Sequence, residues 1–148
     1  MTKFTKFNRK YLDLSWNWIN DPELRDMISS KTITREEQLI WFNSIRKLSN
    51  YLIWGIETDG NPIGVCGLKN ISKVDAEYWG YIGEKDYWGK GIGSVILEFL
   101  TAYACNKNLK SIYLYVTNTN GRAKKLYEKH GFSVEEIKED IIKMRLYL

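Results

Sequence analysis

The stretch YWGKGIGSVILEFL, residues 87–100, places three glycines, Gly89, Gly91 and Gly93, directly before a run of helix-forming apolar residues. Glycine frees the backbone for left-handed dihedrals and for close approach to a ligand. A helix opening at that point presents unpaired N–H groups and the positive end of its dipole. Together these features form a cradle suited to a phosphate. Around the glycines, Lys90 adds a charge, Ser94 a first-turn hydroxyl, and Ile92 the first apolar helical position. Two familiar phosphate loops do not fit. A dinucleotide fingerprint needs G-x-G-x-x-G, and the third glycine falls one position early, with no acidic residue about 20 positions on in a second strand. A P-loop ends Gly-Lys-Ser/Thr, whereas this loop ends Gly-Ser. Glycine-rich turns also precede helices for packing alone, so the loop by itself leaves both readings open.

Working outward, Ile92, Val95, Ile96, Phe99, Leu100 and Tyr103 fall on one helical stripe, and SIYLYVT (111–117) has strand composition. Strand, glycine loop, helix and strand make a crossover unit. GRAKKLYEKH (121–130) sets Ala123, Leu126, Tyr127 and His130 on one helical face, and Gly131 ends it. The tail reads as two strands, VEEI and DIIKMRLYL, the second with Ile142, Met144, Leu146 and Leu148 on one face. Upstream, YLIWGIET and PIGVCGLKNI flank the hairpin signal DGN, and DAEYWGYIG completes an antiparallel meander. Before them come a strand at Phe4–Asn8 and a helix over RKYLDLSWNWIN that stops near Asp21, because the residue before Pro22 disfavours helix. A short helical turn, PELRDMI, follows. Thr34 and Glu37 form a capping box that opens a helix over 34–49, with Leu39, Trp41, Phe42, Ile45 and Leu48 on its apolar face. The pattern predicts an α/β (α+β) chain with a mixed, mostly antiparallel sheet and helices on both sides.

At 148 residues without repeat or linker, the expectation is one domain, residues 1–148. Hydrophobic residues at 44% and aromatics at 14% point to a packed core with aromatic surface to spare for a pocket. The formal charge of +4 suits an anionic ligand and does not demand nucleic acid. No stretch has signal-peptide or membrane-span character, so a cytoplasmic location is expected, with no membrane partner. Cys66 and Cys105 sit in apolar segments and read as buried free thiols. A single His excludes an ordinary zinc site, so no metal is expected, and His130 without a GxSxG elbow makes a poor hydrolase base.

YIGEKDYWGKGIGS, joined some thirty residues later to NGRAKKLYEKHGF, resembles the GNAT superfamily of acetyl-CoA-dependent N-acetyltransferases. That family's loop reads Arg/Gln-x-x-Gly-x-Gly/Ala, matched here at Gly91 and Gly93. Trp88 stands where Arg or Gln is usual, as in the WGKG-type loops of the ribosomal-protein and amino-sugar branches. The second motif is matched at Asn120, Ala123, Leu126, Tyr127, Lys129, Gly131 and Phe132. Residues 50–148 carry the resemblance; in the first 49, WINDPELRDMISSKTITREEQLIWFNSI is similar to branches acetylating protein N-termini or nucleotide-linked amino sugars of surface and flagellar glycans.

The resemblance implies a splayed strand pair at the cofactor site. It implies acetyl-CoA with its pyrophosphate on Gly89–Ser94 and its pantetheine along Tyr81, Ile82 and Gly83, the Ile82 N–H supporting an oxyanion. Tyr127 is the implied general acid, the bland alternative being a core aromatic. Asn120 either holds the cofactor or caps its helix. Glu77 is the candidate base, a water relay being the alternative, since Tyr115 occupies the place where some relatives carry a Glu. His130 reads as a surface or helix-end residue. Trp16, Trp18 and Trp41 are either core or acceptor wall, and Trp88 either packs behind the loop or lines the cofactor. The activity implied is direct acetyl transfer to a small-molecule amine, an amino-sugar nucleotide first, with a protein N-terminal or ribosomal-protein acetyltransferase and a non-catalytic CoA sensor as alternatives. Both monomer and homodimer remain open.

Overall fold

The hairpin signal DGN folds as its composition dictates. Asp59 and Gly60 take φ of 53° and 83°, turning Leu52–Thr58 (β2) back onto Asn61–Lys69 (β3) as an antiparallel pair. In this computed structural model, which describes residues 1–28 and 32–148, Asp75–Ile82 (β4) then pairs antiparallel with β3, completing the meander. Thr2–Lys6 (β1) pairs with the outer edge of β2. Beyond β4 the chain crosses over through Ile92–Asn106 (α4) to Ser111–Thr117 (β5), which runs parallel to β4. After Gly121–Lys129 (α5), Ser133–Lys138 (β6) and Ile141–Tyr147 (β7) return as a hairpin, with β7 beside β5. The strand order among the described residues is β1-β2-β3-β4-β5-β7-β6, antiparallel except at β4–β5.

Helices cover both faces, and each face has its own core. On one, Ile96, Leu97, Leu100 and Ala104 of α4 pack on Ile56, Ala76, Ile112, Leu114 and Met144. On the other, Arg9–Ile19 (α1) and Pro22–Ile28 (α2) contribute Tyr11, Leu12, Trp18 and Leu24 around Val65 of β3, and Arg35–Ile45 (α3) packs Leu39, Trp41 and Phe42 against them. The capping box is complete, with Glu37 N donating to Thr34 Oγ1 and Thr34 N to Glu37 Oε1. Gln38, buried, donates to the Leu12 carbonyl and to Ser15, tying α3 to α1.

The parallel contact between β4 and β5 positions the site. It holds for only three pairs, Asp75↔Ser111, Ala76↔Ile112 and Glu77↔Tyr113. From Tyr78 onward β4 has no partner on that side. The closed end is fastened by Arg145 of β7, which donates through Nη1 to Asp75 at 3.0 Å and Ser111 at 2.8 Å, and through Nε to Glu135 at 2.7 Å.

Several expectations shift. The first strand lies at 2–6 rather than 4–8, because Asn8 is taken as the N-cap of α1, accepting from Tyr11 N. The helix expected over 34–49 ends at Ile45, leaving Leu48 half exposed. On α4 the buried stripe is rotated toward Leu97 and Ala104, and Val95 is exposed. Cys66 is buried, but Cys105 lies on the exposed side of α4, correcting the expectation of two buried thiols. Within the amino-terminal stretch similar to the protein N-terminal and amino-sugar branches, Ser29, Ser30 and Lys31 lie outside the described residues.

Candidate active site

The glycine loop is built as its sequence requires. After a 3-10 turn at Lys85–Tyr87, Gly89 and Gly91 take φ of 75° and 82°, a region costly to any residue with a Cβ. Gly91 is the N-cap of α4, and a Cβ there would meet nothing within 4 Å, so open space faces the helix end. The N–H groups of Ile92, Gly93 and Ser94, in the first turn, have no intrahelical acceptors. Gly93 serves packing instead: a Cβ there would come within 2.9 Å of Leu126. Ser94 Oγ and His130 Nε2 are hydrogen-bonded at 2.9 Å, so His130, at the end of α5, also braces the cradle. Lys90 is exposed and lies outside the cavity lining.

The phase of the β3–β4 ladder fixes which backbone groups face the gap. Gly83 N donates to Ile63 O at 2.7 Å, and the register pairs Tyr81 with Val65 and Ile82 with Gly64. Antiparallel residues alternate in direction. The N–H groups of Tyr81 and Gly83 therefore point to β3, while those of Gly80 and Ile82 point into the gap. Of the three residues expected along pantetheine, only Ile82 offers its N–H there. Gly83 has another reason to be glycine, because any Cβ would strike the Trp18 ring. Trp88 combines its two readings: it lines the cavity, and its indole N–H donates to the Ile82 carbonyl at 2.8 Å.

A cavity of about 1050 Å³ runs through this gap and is lined by residues from both faces of the sheet. On the α4/α5 face it reaches the cradle, Asn120 and Tyr127, together with Arg122, Lys125 and Lys129 of α5. From sequence Lys129 enters only as a motif residue and none of these three cations has a role; their spacing, i, i+3 and i+7, marks one helical face. Asn120 caps α5, accepting from Ala123 N at 3.2 Å, and also donates to the Met27 carbonyl at 3.3 Å. Tyr127 packs edge-on against Tyr78, ring centroids 6.0 Å apart, and burial pushes its phenol up to about 12.

On the opposite face the cavity is walled by Trp41, Tyr51 and Trp79, with Lys69, Glu77 and Tyr115 at the rim. Glu77 accepts from Asn70 Nδ2 at 3.1 Å and lies 3.6 Å from Lys69 Nζ. It sits three residues, about 10 Å, before Gly80 along the strand, so it is not against the part of the gap where Ile82 points. Of the three tryptophans in question, Trp41 is on this wall. Trp18 is buried and donates to Glu84, and Trp16 donates to the Ile33 carbonyl. Among the described residues no cluster of three His, Cys, Asp or Glu side chains could hold a metal ion, and no helix is long and apolar enough to cross a membrane.

A backbone cradle beside a one-sided strand end and a tyrosine defines an acyltransferase site, and the chain belongs to the GNAT acetyltransferase family, whose model matches residues 14–132. It is an N-acetyltransferase with acetyl-CoA as donor. The acetyltransferase PseH of Campylobacter jejuni (strain 81-176) is 26% identical over 141 residues, 95% of this chain and 88% of that protein. Among solved structures, spermidine N-acetyltransferase from Vibrio cholerae, in complex with CoA and spermine, has a TM-score of 0.89 at 22% identity, covering 99% of this chain and 95% of that one. Campylobacter jejuni PseH in complex with acetyl coenzyme A has a TM-score of 0.75 at 19% identity, covering 99% of each chain.

Proposed function

We propose that this enzyme acetylates the primary amine of a nucleotide-linked amino sugar, by direct transfer with donor and acceptor bound together, within a single domain spanning residues 1–148. The observation that carries this reading is the cavity that passes through the sheet, with a cationic cradle on one face and an aromatic wall on the other. Two substrates can thus meet in the gap from opposite sides. The donor's fit is supported by the open space at Gly91, the first-turn N–H groups of α4 and the gap-facing N–H of Ile82. Acetyl-CoA supplies an acyl group activated as a thioester.

The chain's own groups divide the remaining work. The N–H groups of Ile92, Gly93 and Ser94 hold the pyrophosphate, with Arg122, Lys125 and Lys129 alongside as cations. Gly89 and Gly91 keep that backbone open. The Ile82 N–H points at the carbonyl oxygen as negative charge develops there. Tyr127 donates its proton toward the thioester sulfur. With its phenol near 12 and a thiol near 8.5, complete transfer would be uphill by about 5 kcal/mol. Its contribution is therefore a hydrogen bond that strengthens as the sulfur gains charge, so that coenzyme A leaves as a thiolate and takes its proton from solvent. Glu77 receives the proton released by the amine, through a water bridging the intervening distance. Asn120 holds α5 against Met27 and so keeps Tyr127 in place.

The test follows thiol release from acetyl-CoA across UDP-linked amino sugars, aminoglycosides, polyamines and peptides with free N-termini. Turnover with an amino-sugar nucleotide is expected. Turnover confined to peptides sinks the proposal, and absence of turnover with CoA binding retained favours a sensor.

A further inference from the structure

We propose that Trp41, Tyr51 and Trp79 form a stacking subsite for the aminated ring of the acceptor, a six-membered sugar lying with its apolar C–H face on the wall while its amine reaches the gap. This inference rests on the amino-sugar reading and names the part of the molecule that enforces it.

The wall comes from three separate elements. Trp41 lies on α3, Tyr51 just before β2, and Trp79 on β4. The Trp41 and Tyr51 rings meet at 6.5 Å and 78°, and those of Tyr51 and Trp79 at 6.1 Å and 52°. These angles give a bent slot. Trp79 is seated by its cross-strand neighbour Gly67, where a Cβ would come within 2.7 Å of the indole nitrogen. All three side chains are only partly buried and line the cavity. Aromatic surface left facing a concave site, where monomers seldom expose it, is a place for a ligand.

Reach agrees with this assignment. Trp79 immediately precedes Gly80, whose N–H faces the gap, so an amine carried directly on a ring stacked at Trp79 lies beside the gap without a long tether. Charge separates a ring from a linear polyamine. Of the two acids in the cavity lining, Glu77 is balanced by Lys69 at 3.6 Å, and Glu37 of α3 is engaged in the capping box with Thr34. The wall therefore offers one carboxylate without a cation among the described residues, whereas a polycation needs several. Asn70 and Glu77 instead suit the hydroxyls of a polar ring edge.

The experiment compares wild type with Trp41→Ala, Trp41→Phe and Tyr51→Leu, each checked for thermal unfolding. Readouts are the KM of UDP-glucosamine, glucosamine and spermidine, and calorimetric titration of UDP-N-acetylglucosamine into CoA-saturated enzyme. Trp41→Ala and Tyr51→Leu should raise the amino-sugar KM about tenfold, with acetyl-CoA KM within about twofold, and Trp41→Phe should restore most of the loss. An amino sugar turned over with an unmoved KM in both variants overturns the subsite and spares the amino-sugar reading. If wild type turns over neither amino sugar, that reading fails and the titration decides the subsite alone. Saturable binding lost in Trp41→Ala supports it; no binding, or binding unchanged in the variant, overturns it. A spermidine KM that rises with the sugar's shows a cation site and also overturns it.

Discussion

The two faces of the sheet approach the gap with different kinds of atom. On the α4/α5 face the cradle is backbone, made from N–H groups that only a particular path of the chain can expose, and that path takes φ near 80° at Gly89 and Gly91. On the α1–α3 face the wall is side chains from positions 41, 51 and 79, brought together by three unconnected elements. A backbone site constrains residue type at fixed spacing, because few residues tolerate that conformation. A side-chain site constrains only shape and chemistry, and many sequences supply those. The donor half of such an enzyme is therefore expected to vary little while the acceptor half is free to change.

The largest effect that would sharpen this contrast lies at their meeting point. Tyr127→Phe should lower kcat about 100-fold or more while leaving acetyl-CoA KM within about twofold. Burial raises the phenol to about 12, so its proton stays bound through pH 10 and is lost only as pH rises further. Wild-type kcat should accordingly show no fall centred near pH 10. A fall there that vanishes in Tyr127→Phe contradicts the raised phenol.

Next in size is the closed end of the strand pair. Arg145 is largely buried and holds Asp75, Ser111 and Glu135 together where β4 and β5 still pair. Arg145→Gln should lower stability by about 2 kcal/mol, read as a shift in denaturant midpoint. If the gap depends on that fastening, acetyl-CoA affinity falls with it; unchanged affinity shows the open end to be held by its own contacts.

Gly91→Val tests the backbone half directly. A β-branched residue at φ 82° costs about 1–2 kcal/mol, and relief of that strain would move the cradle. Acetyl-CoA binding by calorimetry should weaken about tenfold. Gly93→Ala, which meets only the movable end of Leu126, should instead leave acetyl-CoA affinity within about twofold and thermal stability little changed. Equal behaviour of the two variants would remove the distinction between a conformational glycine and a packing one.

These same differences explain what could be read in advance. The capping box Thr34–Glu37, the DGN hairpin and the cradle are local, each carried by residues within a few positions of one another, and all are found in the fold. Exposure of Val95 and Cys105 was not legible, because α4 is apolar over most of its circumference and only packing on β3–β5 chooses its inward stripe. Nor was the aromatic wall, since Tyr51 and Trp79 read as strand residues until the fold places Trp41 beside them. Gly83 was assigned to the cofactor by motif position, whereas its N–H is held by Ile63 and its α-carbon faces Trp18. A ladder's phase is invisible without the register of its partner strand.

The smallest effect concerns Trp88, where a side chain does backbone work. Its indole N–H occupies the gap-facing carbonyl of Ile82, the same residue whose N–H is left free. In a continuous sheet β5 would take both groups, and the splay leaves both without strand partners. Trp88 thus satisfies the acceptor, and the donor is left for the part proposed for it in acetyl transfer. Trp88→Phe keeps an aromatic ring behind the loop and removes only the donor, at a net cost of about 1 kcal/mol, or roughly fivefold. That loss should fall on acetyl-CoA affinity and, if Ile82 turns, on kcat, with thermal stability changed less. Should stability fall while acetyl-CoA affinity and kcat stay as they were, the indole would be packing alone, and its bond to the Ile82 carbonyl would play no part in holding the donor.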